Sequence, residues 1–213
     1  MLIDDTVLVA LFDHDDTLVG TRGPKVQQHI LVAQVCYGKT LTEAEILAHW
    51  GKPLPQFLCA IFGTDDADRA LENSRVYSER FPKTLFPDTI PTLQRLLDLG
   101  KWLGIVTAST HRSLNYDLES LSIPGEWFEY IQAAEDTTVH KPNPRVFDPA
   151  VAALHEQGLY PEEVLYVGDG LHDLYAARGA GFSFIGVETG LVSAEEFREH
   201  GAISVPTLAD LVR

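Results

Sequence analysis

The segment Asp13-His14-Asp15-Asp16-Thr17-Leu18 sets three carboxylates within four residues. Charges so close repel one another unless water, protons or a cation separates them. Alone, the segment reads equally well as a solvated acidic turn. Three further polar groups give it company: Thr107-Ala108-Ser109, His140-Lys141-Pro142-Asn143-Pro144 and Gly168-Asp169-Gly170-Leu171-His172-Asp173. A bound divalent ion and a few placed cations reverse the local field, so that even an acidic protein can take a small phosphate.

Each of these groups follows a short apolar run with the character of a strand buried on both faces, at 7–12, 102–107, 130–134 and 164–168. A fifth run spans 182–187. Helical spacing lies between the runs. In 91–100 it falls on Leu93, Leu96 and Leu97 before Gly100, and in 144–158 on Val146, Phe147, Ala150, Val151 and Leu154 before Gly158. Strands alternating with helices predict a doubly wound parallel α/β sheet, which binds ligands at the carboxyl ends of its strands. All four polar groups fall on that edge.

The alternation breaks between Val19 and Thr84, where only helical patterns appear, at 26–35, 43–50, 57–62 and 65–81. The expected organisation is a core formed by 1–18 and 85–213 with an inserted helical cap at 19–84. An excursion leaving the first strand's carboxyl end is expected over the site, where it excludes water and selects substrates.

The net charge of −15, from 31 acidic against 16 basic residues, repels polyanions and makes nucleic acid an unexpected partner. Cys36 and Cys59 have neither metal-ligand nor redox spacing and read as reduced core thiols. The acidic start and its short apolar run fit neither a signal peptide nor a membrane segment, so a cytoplasmic protein without a membrane partner is expected.

With these motifs in order, the sequence resembles the haloacid dehalogenase-like hydrolase superfamily, particularly its phosphoglycolate phosphatase-like branch with a helical cap. Asp13, Asp15, Thr17 and Leu18 match the family's Asp-x-Asp-x-Thr-Leu motif. Thr107 matches its strand-ending Ser or Thr, Lys141 its Lys-Pro-x-Pro turn, and Gly168, Asp169 and Asp173 its Gly-Asp-x-x-x-Asp. The resemblance implies a Rossmann-like core and a phosphatase acting through a phosphoaspartate on Asp13. Asp15 would protonate the leaving oxygen and later deprotonate water. Mg²⁺ would be held by Asp13, Asp169 and the Asp15 carbonyl, with Asp173 tuning the site or contributing through water. Thr107, Ser109 and Lys141 would contact the substrate's phosphoryl oxygens or their surroundings.

Asp16 stands where the family usually has Gly, Gly20 where this branch often has Asp, and Ala108 where Asn is frequent. None of these removes a catalytic group. In the cap, Lys52 of Gly51-Lys52-Pro53-Leu54 is a candidate contact for an anionic part of the substrate, the alternative being a solvated loop lysine. The expected partner is a small phosphorylated metabolite. Alternatives within the superfamily are a haloacid dehalogenase, a phosphonatase and a sugar phosphate mutase. From another class, a noncatalytic phosphometabolite-binding module stays open. Asp173 as a plain helix cap and His14, His140 and His172 as residues facing away from the site are the structural alternatives.

Overall fold

The computed structural model describes residues 2–213. Its strands are β1 (Val9–Phe12), β2 (Val19–Gly20), β3 (Thr84–Leu85), β4 (Trp102–Val106), β5 (Phe128–Gln132), β6 (Val164–Gly168), β7 (Ser183–Val187) and β8 (Ile203–Val205). Its α-helices are α1 (Arg22–Tyr37), α2 (Glu43–Leu47), α3 (Leu54–Phe62), α4 (Ala67–Tyr77), α5 (Thr89–Asp98), α6 (His111–Ser120), α7 (Asp148–Glu156), α8 (Leu171–Gly179) and α9 (Ala194–Glu199). The chain divides into two compact units, one built from the residues up to Gly20 together with Leu85–Arg213, the other from Thr21–Thr84.

The first unit is a six-stranded sheet in the order β5-β4-β1-β6-β7-β8, with every pairing parallel. Alternation along β1 explains its central place. Val9 and Leu11 join one apolar cluster with Val164, Tyr166 and Phe147, while Ala10 and Phe12 join another with Leu103, Ile105, Leu165 and Val167. A strand with no polar face must be covered on both sides. Beyond β5 the chain crosses back past β1 to form β6, so the order reverses around β1. Such a switch point opens a crevice at the carboxyl ends of the strands.

Several expected elements shift. The third run forms a strand at Phe128–Gln132 rather than 130–134. Gln132 spends its side-chain amide on the Val146 carbonyl at 2.7 Å, and Asp136 then draws the Ala133 N–H into a turn at 2.8 Å. The helix expected over 144–158 splits into a 3₁₀ turn, Pro144–Phe147, and α7. Pro149 has no N–H to give the Arg145 carbonyl, which breaks the helical ladder there. The run over 65–81 ends as α4 followed by a 3₁₀ turn, Ser78–Arg80. The short β2 and β3 pair in a separate two-stranded sheet and, like β8, were not expected.

The second unit is four helices around Val26, Val32, Leu41, Ile46, Leu58, Ile61 and the rings of Phe57 and Phe62. Thr42 and Glu45 close a reciprocal capping box at the start of α2, and Gly38 and Gly63 end α1 and α3 in the left-handed conformation. Cys36 and Cys59 are unbridged and half-buried. Among the described residues no helix is long and apolar enough to cross a membrane.

His29 on α1 is buried edge-on to Phe57, with ring centroids 5.1 Å apart, and its Nδ1 meets no hydrogen-bond partner. Burial, helped by the Lys25 ammonium, drives this imidazole down to about 4. The unfolded chain therefore binds a proton at this residue at pH values where the folded chain does not, from about 6.5 downward. The stability it contributes is complete above that point and is lost as pH falls toward 4. Between pH 7 and pH 5 the wild type should lose about 2 kcal/mol more stability than His29→Phe in urea unfolding; parallel pH dependences for the two proteins would refute this.

Candidate active site

Asp13 follows β1 directly, and its N–H donates to the Val167 carbonyl at 2.8 Å, keeping it in register with the sheet. Strand alternation turns the next residue to the opposite face: the His14 imidazole is fully buried, with Nε2 3.0 Å from Asp117 Oδ2 on α6. The chain then turns sharply. The His14 carbonyl accepts from the N–H groups of Thr17, Leu18 and Val19, and Asp16 adopts a left-handed φ of 54°. Asp tolerates that conformation at modest cost where Gly meets none, which explains how Asp16 replaces the family's usual Gly.

The turn presents Asp15 toward the end of β4. Ser109 Oγ donates to Asp15 Oδ2 at 2.6 Å, and the Ser109 N–H donates to Thr107 Oγ1 at 3.0 Å. Ser109, expected as a substrate contact, thus commits its hydroxyl proton to the expected acid-base residue. Thr107 is buried at the end of β4, its N–H donating to the Gln132 carbonyl at 3.0 Å.

From β6 the chain runs through Gly168-Asp169-Gly170 into α8. Asp173, in the first turn, accepts the Gly170 N–H on Oδ2 at 3.1 Å and the Lys141 ammonium on Oδ1 at 2.7 Å. It caps the helix and holds the lysine at once. Lys141 also donates to Asp13 Oδ1 at 2.9 Å and to the Tyr166 hydroxyl at 2.6 Å. Asp13, Asp169 and Asp173 each offer a carboxylate oxygen, and these oxygens lie within 4.8 Å of one another.

The electrostatics follow from this crowding. Burial pushes Asp169 well above the usual carboxylate range, and the charges of Asp173, Asp13 and Asp16 add to the shift. Burial also raises Asp13 despite the opposing Lys141. For Asp173 burial is outweighed by Lys141, His172 and the Gly170 N–H, and its carboxyl stays low. Lys141, although burial works against its charge, is held well above its ordinary value by Asp13 and Asp173. When ionised, three carboxylates against one ammonium leave two negative charges. A compact set of hard oxygen donors with that charge fits a divalent cation such as Mg²⁺.

The structure thus gathers Asp13, Asp169, Asp173 and Lys141 in one group and links Asp15, Ser109 and Thr107 in another. The Asp15 side chain is not among the three gathered carboxylates; only its backbone carbonyl was expected at a metal. Lys52 lies in the helical unit between α2 and α3, exposed, with Nζ 2.9 Å from His49 Nδ1. His140 and His172 are exposed, His172 with Nε2 3.5 Å from Asp173 Oδ2.

Three residues were missed. Tyr166 looked like one more apolar strand residue. Thr189, whose Oγ1 donates to the Asp16 carbonyl at 2.5 Å, and Gly190, where an added Cβ would collide with Asp169 Oδ2, both follow β7. Their position after the fifth apolar run, on the same sheet edge, was the available signal.

Fold and site together define an α/β enzyme with its charged groups at the switch point of a parallel sheet. The sequence profile described as haloacid dehalogenase-like hydrolase matches residues 10–187. The pyrophosphatase PpaX of Anoxybacillus flavithermus is 29% identical over 180 residues, 83% of this chain and 81% of that protein. The phosphoglycolate phosphatase of Escherichia coli is 33% identical over 106 residues, 50% of this chain and 40% of that protein. A haloacid dehalogenase-like hydrolase structure from Bacteroides fragilis superposes with a TM-score of 0.80 at 31% identity, covering 96% of this chain and 99% of that one. The chain belongs to the haloacid dehalogenase-like hydrolases, as a phosphohydrolase.

The close approach of Gly190 to Asp169 yields a test. Gly190→Ala must displace the Asp169 carboxylate, and disturbing the groups that orient a ligand typically weakens a metal site about 10- to 100-fold. Calorimetric titration of the substrate-free variant with Mg²⁺ should show a loss of that size; wild-type affinity would refute the packing argument.

Proposed function

We propose that this phosphohydrolase removes the phosphoryl group of a small phosphorylated metabolite in a Mg²⁺-dependent reaction that passes through a phosphoaspartate on Asp13. The observation that carries the reading is the buried Lys141 ammonium, 2.9 Å from Asp13 Oδ1 and 2.7 Å from Asp173 Oδ1. It holds a carboxylate at a strand end beside the cation that an incoming phosphoryl group needs.

In the first half-reaction an Asp13 carboxylate oxygen attacks phosphorus, the bond to the leaving oxygen breaks, and Asp15 gives that oxygen its proton. In the second, water attacks phosphorus, Asp15 takes the water's proton, and the bond to Asp13 breaks to release orthophosphate. The Ser109 hydroxyl orients Asp15 for both proton transfers. Thr107 and Lys141 bind the phosphoryl oxygens. Mg²⁺, held by Asp13, Asp169 and the Asp15 carbonyl with Asp173 beside them, would supply the positive charge that brings an anionic substrate to a carboxylate.

Relatives named as pyrophosphatase, phosphoglycolate phosphatase and glyceraldehyde 3-phosphate phosphatase support a small substrate. Pyrophosphate and phosphoglycolate are therefore the first compounds to try. A sugar phosphate mutase is the second reading, because a phosphoaspartate next to an acid-base carboxylate can also return its phosphoryl group to a sugar hydroxyl.

Orthophosphate release from a panel of small phosphoesters and pyrophosphate should require Mg²⁺ and vanish in Asp13→Asn. Turnover that survives this substitution would remove the nucleophile assignment, and transfer to a sugar without release would select the mutase. Asp15→Asn should lower kcat about 10²- to 10⁴-fold for alkyl phosphates. The loss should be smaller for p-nitrophenyl phosphate, whose leaving group needs no proton; equal losses on both would contradict the acid role.

A further inference from the structure

Tyr166 is fully buried in the middle of β6, its ring edge-on to Phe147 at 4.8 Å and packed among Val9, Leu11 and Val106. Phenylalanine would meet every apolar contact there. A hydroxyl in such surroundings is costly unless it is hydrogen-bonded, and this one has two partners: the Val106 carbonyl at 2.8 Å and the Lys141 ammonium at 2.6 Å. Chemistry fixes the direction of both bonds. An ammonium only donates and a carbonyl only accepts, so a neutral phenol gives its one proton to Val106 and receives one from Lys141. Burial keeps the phenol neutral, holding it well above its ordinary pKa.

Lys141 then has a defined acceptor for each of its three N–H groups: Asp13 Oδ1, Asp173 Oδ1 and the Tyr166 oxygen. Two acceptors alone leave an ammonium free to swing about the line joining them; a third point removes that freedom. The third point is anchored in turn. Its proton is bonded to the carbonyl of Val106, the residue immediately before Thr107. One hydroxyl therefore joins the strand that leads to Asp169, the end of the strand that carries Thr107, and the lysine of the Lys-Pro turn.

We infer that Tyr166 is a positioning residue that, with Asp173, holds Lys141 in place while the N–H it gives Asp13 passes to a phosphoryl oxygen as bond formation to phosphorus takes up the Asp13 charge, so that Lys141 and Thr107 meet the phosphoryl oxygens of the transition state together. This rests on the roles given above to Lys141 and Thr107. Nothing in Tyr166 touches the reacting atoms, so its effect should appear in transition-state complementarity rather than in ground-state binding.

Tyr166→Phe keeps the ring and removes the tripod's third leg. With p-nitrophenyl phosphate, assayed well below the unfolding temperature, kcat should fall about tenfold or more while KM changes less than about twofold. Inhibition by orthovanadate, which mimics the five-coordinate phosphorus, should weaken by a similar factor, and inhibition by orthophosphate much less. Lys101→Met serves as the control for a purely structural loss. Lys101 Nζ donates to the Asp4 and Val7 carbonyls at 3.0 and 2.6 Å near the start of β1, so that variant should lose stability and keep its kcat. A Tyr166→Phe enzyme with lowered Tm but wild-type kcat and vanadate inhibition would overturn the inference and make the hydroxyl a structural bond alone. Full activity in Lys141→Met would instead overturn the role of the lysine, and the inference with it.

Discussion

One buried ammonium set among buried carboxylates is the constraint around which the rest of the site is arranged. Two unit charges about 4 Å apart interact by about 4 kcal/mol at an effective dielectric of 20, so Asp13, Asp169 and Asp173 could not be gathered without opposing charge. Lys141 supplies part of it and is itself tolerable in the interior only because of them. Removing Lys141 would leave the charge of the three carboxylates without its one opposing partner, and breaking a buried pair by deleting one side is strongly destabilising. The residual negative charge is what suits the site to a divalent cation, and it explains how a chain of net charge −15 can take an anionic substrate.

The topology makes this gathering possible. Asp13, Thr107, Lys141 and Asp169 are far apart in sequence, yet β1, β4 and β6 are adjacent, and the segment after β5 reaches across to the same edge. Alternation then sorts the side chains. Asp13 turns to the Tyr166 side with Lys141, while His14 turns to the other and is spent in the core on Asp117. The turn at Asp16 lets Asp15 face Ser109 instead of following the strand. Thr189 fastens that turn from the loop after β7.

The parts of this arrangement legible in the sequence are those with an unmistakable local pattern. The first and fourth apolar runs became β1 and β6 because nothing polar interrupts them, and the charged groups stood out because they broke those runs. The offset of β5 was hidden because the exposed Glu129 breaks the apolar run before Tyr130, and because the bond from the Ala133 N–H to Asp136 that follows the strand leaves no mark in the apolar pattern. The broken helix at Pro149 was legible in principle, since proline's missing donor is a local fact. Ser109 was found but its partner was not, because a bond between residues 94 positions apart has no sequence spacing to betray it. Tyr166 shows the deepest limit. Its ring obeys the strand pattern, and only the fold reveals where its hydroxyl ends.

The central claim is that phosphorus is transferred to Asp13 itself. Acid quenching during turnover of the best substrate, followed by proteolysis and mass spectrometry, reads this directly, because an acyl phosphate survives at low pH long enough to add one phosphoryl mass to the peptide carrying residue 13. The account predicts that mass on the Asp13 peptide of the wild type, and its absence from Asp13→Asn. Turnover with no phosphorylated peptide at any quench time, or with the phosphoryl group on another residue, would contradict it.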